Sequence, residues 1–388
     1  MRSSKQYVNL SHNKVENHLK TLQNEFEEEV VPTDTVTYKL RQFFWSNFFG
    51  FVYHYFKSRF GKRYPYQSYP KDGDSGVYQI PNDATLALLS DWATDTIESD
   101  LVGRLVARYQ ADYTLHLGDV YFVGAPKEIR ANFLNPDASW PWGTQGSLAL
   151  SGNHEMYSNG RGYFEELLPR MGVDQAGVRV SQKAGFFCME NDHWRIIGLD
   201  TGYTSVRNPI MEIINPPDCR LKDSQVQWLR EQVKMGDASD SRGLIFLSHH
   251  PVFSVFRNAF PKPGEQLREI LGEANRPVAW IYGHEHRMVI YHTQELKNSL
   301  TVHGRCIGHG GMPVELKAPE THDPIYFMDD RIRTRLRRRD VSYNGFAYLT
   351  LQGPNAVMKY IDVEDTMIFQ ENWRVEKGAV IVEKADAV

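Results

Sequence analysis

The 388-residue sequence predicts a layered α/β fold. Three observations lead there. Apolar runs of strand length recur between residues 84 and 286, a stretch of apolar residues at helical spacing lies between the first two, and the composition of 41% hydrophobic and 24% charged residues is that of a globular chain with a sizeable core.

Residues 1–80 read as a separate N-terminal extension. A polar, helical beginning ("VENHLKTLQNEFEEEVV") leads to an aromatic run, "FFWSNFFGFVYHYF", over residues 43–56. Phe44, Phe48, Phe51 and Tyr55 share one helical face, which is expected to dock on the rest of the chain or on a partner subunit, with peripheral contact to a membrane surface as the alternative. The run holds only 14 residues, includes Asn47 and His54, and lies between Arg41 and Lys57, so it is too short and polar to span a bilayer. The Tyr-, Pro- and Gly-rich "GKRYPYQSYPKDGDSG" that follows is expected to be a linker or an extended crossing segment.

From residue 81 to 388 one domain is expected. "ATLALLSD" is a strand, "IESDLVGRLVARYQ" a helix and "YTLHLGD" a second strand; "SLALSGNHE", "HWRIIGLD", "GLIFLSHH" and "RPVAWIYGHEH" continue the series. "RIRTRLRRRD" is a charge run and predicts a solvated face. "GFAYLTLQGPNAVMKYIDVEDTMIFQENWRV" reads as three strands that extend the sheet edge, since without a helix they would bury no core of their own.

The bulk properties exclude some functions. A formal net charge of −4 gives no overall attraction to a nucleic acid polymer, and none is expected as a partner. The N-terminus "MRSSKQYVNLSHNK" lacks the apolar run of a secretory signal. Three well-separated cysteines, Cys188, Cys219 and Cys306, indicate neither a disulfide framework nor a CxxC metal site, so a reducing, cytoplasmic compartment is expected. Nothing in the sequence specifies the oligomeric state.

Metal-capable residues recur just beyond the apolar strands: Asp91, Asp119, Asn153 with His154, His249 with His250, and His284 with His286. In an open α/β sheet the C-terminal strand ends form the ligand crevice, so five strands deliver donors to one place. A carboxylate that bridges two cations, flanked by His and Asn, suits a pair of borderline divalent or trivalent ions. Two such ions about 3.5–4 Å apart can hold a phosphate between them.

In their order, "SDWA", "GDVYF", "GNHE", "SHHP" and "GHEH" resemble the motifs of the calcineurin-like metallophosphoesterases, which include the purple acid phosphatases. The resemblance covers about residues 84–312 plus the terminal strands. It implies an αββα sandwich of two mixed sheets with the metal site at the C-terminal strand ends. It also implies a phosphoesterase with two metal ions (Mn, Fe or Zn) that hydrolyses phosphomonoesters or phosphodiesters by attack of metal-bound hydroxide. Carried over by position, Asp119 bridges the ions, Asp91 and His286 bind the first, and Asn153, His249 and His284 bind the second. His154 corresponds to the residue that contacts phosphate and protonates the leaving group. His249, two residues before Pro251, is the expected ligand, with His250 beyond the ligand shell.

Two positions depart from the family pattern. Ala93 stands where many members have a second first-metal His, and Phe122 stands where purple acid phosphatases have a tyrosinate, with Tyr121 one place early. The first ion is therefore expected to have three protein donors unless the loop presents Tyr121. His309 and Arg161 are candidates for lining the substrate pocket, against the plainer reading of each as a loop residue. The alternatives to hydrolysis of this kind are a metal-depleted binding scaffold of the same fold and a peripheral-membrane lipid phosphoesterase.

Overall fold

The computed structural model describes residues 61–384 apart from 71–72, 137–139, 207–215, 257–258, 298, 315 and 337–338. The polar beginning and the aromatic run, with their expected docking role, lie outside the described residues. No described helix is long and apolar enough to cross a membrane. The three cysteines are buried and form no disulfide with one another.

"GLIFLS" shows why the chain layers as it does. In the strand Gly243–Ser248 every residue is buried. Ile245 and Leu247 enter one apolar cluster, and Leu244 and Phe246 another. A parallel strand covered on both faces reads as a continuous apolar run, which is how the sequence announces it.

The first nine-stranded sheet has the order Val77–Gln79, Phe187–Glu190, Trp194–Leu199, Gly243–Ser248, Val278–Tyr282, Thr301–Ile307, Met288–Tyr291, Ile325–Met328, and Gln294–Glu295 pairs with Thr301–Ile307. The second nine-stranded sheet runs Ala379–Lys384, Met367–Glu376, Asn355–Asp362, Gly345–Gln352, Asp83–Leu89, Tyr113–His116, Gly146–Ala149, Gly172–Gln175, Val178–Ser181. Leu86, Leu88, Leu115 and Leu148 of the second sheet meet Ile196, Ile245, Leu247 and Ile281 of the first in the central core. The helix Ile97–Tyr109 covers the second sheet with Val102, Leu105 and Val106, while Asp223–Glu231 and Lys262–Leu271 cover the first with Trp228, Leu229 and Leu267. The layers are therefore αββα, as the resemblance implies. Thr96 caps the first of these helices by accepting from Ser99 N–H at 3.2 Å, the role a β-region Thr serves at a helix start.

In the segment expected to be a linker or an extended crossing segment, Tyr69 is buried against Phe186 and Trp228 and Tyr64 stacks on Phe164; just after it, Val77–Gln79 pairs in parallel with Phe187–Glu190. Tyr and Pro read as linker composition, yet the rings supply enough apolar area to anchor the segment. The C-terminal strands number four on the second sheet, with the small hairpin Thr334–Leu336/Arg339–Val341 before them. Within the charge run, Arg331 is bound by Asp329 and Asp362 and Arg333 lies 3.8 Å from Glu364.

The central core also holds an ion pair. Arg305 donates to both Glu371 oxygens at 2.7 and 2.6 Å, and the Tyr360 hydroxyl adds a third bond at 3.0 Å. Arg305 is 2% and Glu371 1% exposed, so each charge relies on the other. Glu371→Ala is expected to cost about 3–5 kcal/mol, because it leaves a buried guanidinium uncompensated. A urea midpoint equal to that of the parent chain would contradict this.

Candidate metal centre

Each sheet contributes a parallel set of strands to the centre. In the second, Asp83–Leu89, Tyr113–His116 and Gly146–Ala149 are parallel neighbours and lead to Asp91, Asp119 and Asn153. In the first, Trp194–Leu199, Gly243–Ser248 and Val278–Tyr282 lead to Asp200, His249 and the pair His284 and His286. Their C-terminal ends meet across the sandwich. His249 Nε2 lies 3.1 Å from Asp119 Oδ2, His286 Nε2 lies 3.4 Å from Asp91 Oδ1, and His284 N–H donates to Asp91 Oδ2 at 2.9 Å.

The backbone is strained where it delivers these groups. Asp91, Asp119 and His284 have φ of +56°, +67° and +66°. A non-glycine residue pays about 1–2 kcal/mol for this left-handed conformation. Strain at three candidate ligands is what a functional constraint leaves behind. Two glycines give the side chains room: a Cβ on Gly152 would lie 2.1 Å from Asp119 Oδ1, and one on Gly283 2.6 Å from Asp91 Oδ2.

A buried acid organises the loops around Asp119. Glu155, 0% exposed, accepts from Gly152 N–H at 2.7 Å, Val120 N–H at 2.6 Å and Asp119 N–H at 3.3 Å. Sequence reasoning passed over Glu155, although an acid three residues after a helix N-cap is a legible signal. Burial and the Asp119 charge push its carboxyl up to about 8.

The other charges follow from pairing. Burial pushes the Asp119 carboxyl up, but the His249 and His154 charges beside it hold it well below its usual range. Burial likewise raises Asp91, and the His286 hydrogen bond and the His249 charge bring it below its ordinary value. His249 shows the converse: burial lowers it, yet the Asp119 charge and hydrogen bond lift it to about 9. Burial lowers His154. His154 N–H donates to Asp119 Oδ1 at 2.9 Å, its Nδ1 contacts the Phe122 carbonyl, and its Nε2 lies 3.8 Å from Asp119 Oδ2.

Tyr121 is the principal departure from the expected donor set. Its hydroxyl lies 2.8 Å from Asp91 Oδ1, 2.8 Å from His286 Nε2 and 3.4 Å from Asp119 Oδ2. The loop thus turns the early tyrosine towards Asp91 and His286, which is the condition under which a fourth donor beside Asp91, Asp119 and His286 is expected. Ala93 and Phe122 supply no donor, as expected.

The remaining candidates fall outside this set. Arg161 is exposed and pairs with Glu165 at 3.1 Å. The rule that the ion pair of a helical surface satisfies such a side chain applies here, and the substrate-pocket expectation for Arg161 gains nothing from the geometry. His309 is buried, and its loop is tied to the Asp91 segment by Gly310 N–H to Ser90 O and Met312 N–H to Asp91 O. Its ring lies beside Gly345, where a Cβ would come within 3.0 Å of Nε2. His250 is buried, with Nδ1 3.0 Å from Thr201 Oγ1.

These residues fit a metal. Asn153 Oδ1 is buried without a hydrogen-bond partner among the described residues, and a cation supplies what it lacks. Asp91, Asp119 and His249 present donor atoms within 4.8 Å of one another. A sequence profile of calcineurin-like phosphoesterases matches residues 85–288, a span that contains every candidate ligand. The chain belongs to this family. Its backbone is similar to GAP50, described as the anchor in the inner membrane complex of Plasmodium, with 15% identity, TM-score 0.51, and 76% of this chain and 89% of that one covered. It is also similar to PhoD, with 12% identity, TM-score 0.53, and 80% and 73% covered. Likeness at that identity is one of fold. No curated protein matches the chain.

Proposed function

We propose that this family member hydrolyses phosphomonoesters or phosphodiesters at a centre of two metal ions that share Asp119. The observation that carries the reading is the position of the Asp119 carboxylate between two donor groups, with Tyr121 Oη 3.4 Å and His249 Nε2 3.1 Å from its Oδ2. Asp91, His286 and Tyr121 stand on the first side; His249, His284 and Asn153 stand on the second. When bound, the two ions supply Lewis-acid polarisation of the phosphoryl group and acidify water near neutral pH. The chain does the rest. Its carboxylates carry the compensating charge, and burial of all the donors excludes bulk water. The Phe122 carbonyl holds His154 Nδ1–H, which leaves Nε2 to hand a proton to the departing oxygen.

The buried thiols, none of them in a disulfide, favour a cytoplasmic enzyme. The test is a panel of aryl monoester, aryl diester and cyclic nucleotide substrates assayed with Mn, Fe, Zn and Co, alongside metal analysis. A chain that binds no ion and cleaves none of them would instead be a scaffold of the same fold.

Tyr121 adds a visible signature. Donors bound to one octahedral ion at about 2.1 Å stand about 3 Å apart. Tyr121 Oη and the donors around it are separated by 2.8–3.4 Å. The ferric chain is therefore expected to show a phenolate-to-iron charge-transfer band that Tyr121→Phe abolishes. A colourless ferric chain would remove Tyr121 from the ligand set.

A further inference from the structure

The donor sets above leave His250 unassigned, and its surroundings are those of a ligand. The donor nitrogens of His249, His250 and His284 lie within 4.8 Å of one another, and all three residues are buried. Their ring centroids are 4.8 Å (His249 to His250), 5.2 Å (His249 to His284) and 4.8 Å (His250 to His284) apart, so the three rings form one group with no outlier. His249 donates through Nδ1 to Leu117 O at 3.0 Å and thereby turns Nε2 towards Asp119 and the group.

His250 has a matching support. Thr201 Oγ1 lies 3.0 Å from its Nδ1 and accepts its backbone N–H at 3.2 Å. Thr201 follows the strand Trp194–Leu199, the parallel neighbour of the strand that leads to His249 and His250. A ring nitrogen held on an outer acceptor fixes the tautomer and aims the other nitrogen at a metal. Thr201 thus does for His250 what the Leu117 carbonyl does for His249. Asp200 beside it accepts from Ser151 Oγ at 2.9 Å, which ties this strand end to the loop carrying Asn153.

We propose that His250 is a direct ligand of the second ion through Nε2, with Thr201 accepting the Nδ1 proton. The inference rests on the two-ion reading. Three imidazoles then face the second ion, whereas carboxylates and a phenol oxygen dominate at the first. Imidazole-rich donors favour Zn and Co, and oxygen donors favour harder ions such as Mn. The centre is therefore built for two different ions.

The experiment titrates Co²⁺ into the metal-free full chain and counts exchangeable, hyperfine-shifted imidazole N–H proton resonances, one for each coordinated ring. Four are expected with both sites filled, from His249, His250, His284 and His286. His250→Gln is expected to remove one and to weaken binding of the second ion by at least about 100-fold, and Thr201→Val, which keeps the shape without the acceptor, by about 10–100-fold. Two bound ions with three resonances in the parent chain overturn the His250 assignment alone. No bound cobalt overturns both it and the two-ion reading. The parent-chain count decides the matter even where His250→Gln does not fold.

Discussion

Asp119→Asn is expected to reduce the bound metal from two ions to at most one and to lower turnover by about 10³-fold or more. The substitution keeps size and shape, and the new amide oxygen can still accept His154 N–H, now 2.9 Å from Oδ1. It removes the charge that both donor groups share. Lewis-acid stabilisation of the transition state is worth several kcal/mol, and each 1.36 kcal/mol is a factor of ten. A variant that retained two ions and parent-like turnover of 4-nitrophenyl phosphate would sink the bridging role.

The same substitution has a pH signature in the metal-free chain. Burial lowers His249, but the Asp119 charge lifts it to about 9, against about 6.5 for an unfolded histidine. Between those values the folded chain holds a proton that the unfolded chain has released. The pair's contribution is therefore fully present below about pH 6.5 and is lost as pH rises towards 9. Asp119→Asn should flatten the fall in melting temperature across that window, and an unchanged slope would place the titration elsewhere.

What the sequence made legible were features that one strand declares by itself. A strand buried on both faces is a short apolar run, and the polar residue after it marks the sheet edge, so Asp91, Asp119, Asn153, His249 and His284 were visible as strand ends. Features that depend on two distant segments were not. The inward swing of Tyr121 is set by the path of a loop, which position counting from Asp119 does not reveal. Thr201 reads as an ordinary residue after a strand, and only the adjacency of Trp194–Leu199 to Gly243–Ser248 places it at His250. Arg305 and Glu371, 66 residues apart, become a pair only when the two sheets stack. For the Tyr- and Pro-rich residues 61–76 a linker and an extended crossing segment both stayed open, because composition says nothing of what a ring packs against.

His154→Ala is expected to separate chemistry from metal binding. The imidazole is buried, its backbone N–H is fixed on Asp119, and its Nδ1 rests on the Phe122 carbonyl. Its ring also lies 4.3 Å from that of Tyr121 and 5.0 Å from that of Tyr157, which fixes its plane. None of these contacts uses His154 as an expected ligand, so the variant should keep both ions. Its turnover should fall by about 10²–10⁴-fold for alkyl phosphates, whose departing alkoxide needs a proton. It should fall much less for 4-nitrophenyl phosphate, whose leaving group departs as a stable anion. His284→Ala, by contrast, should lose metal and both activities together, because on the two-ion proposal it removes a donor to the second ion. Equal slowing of good and poor leaving groups in His154→Ala would rule out proton transfer and leave this histidine to orient the phosphate.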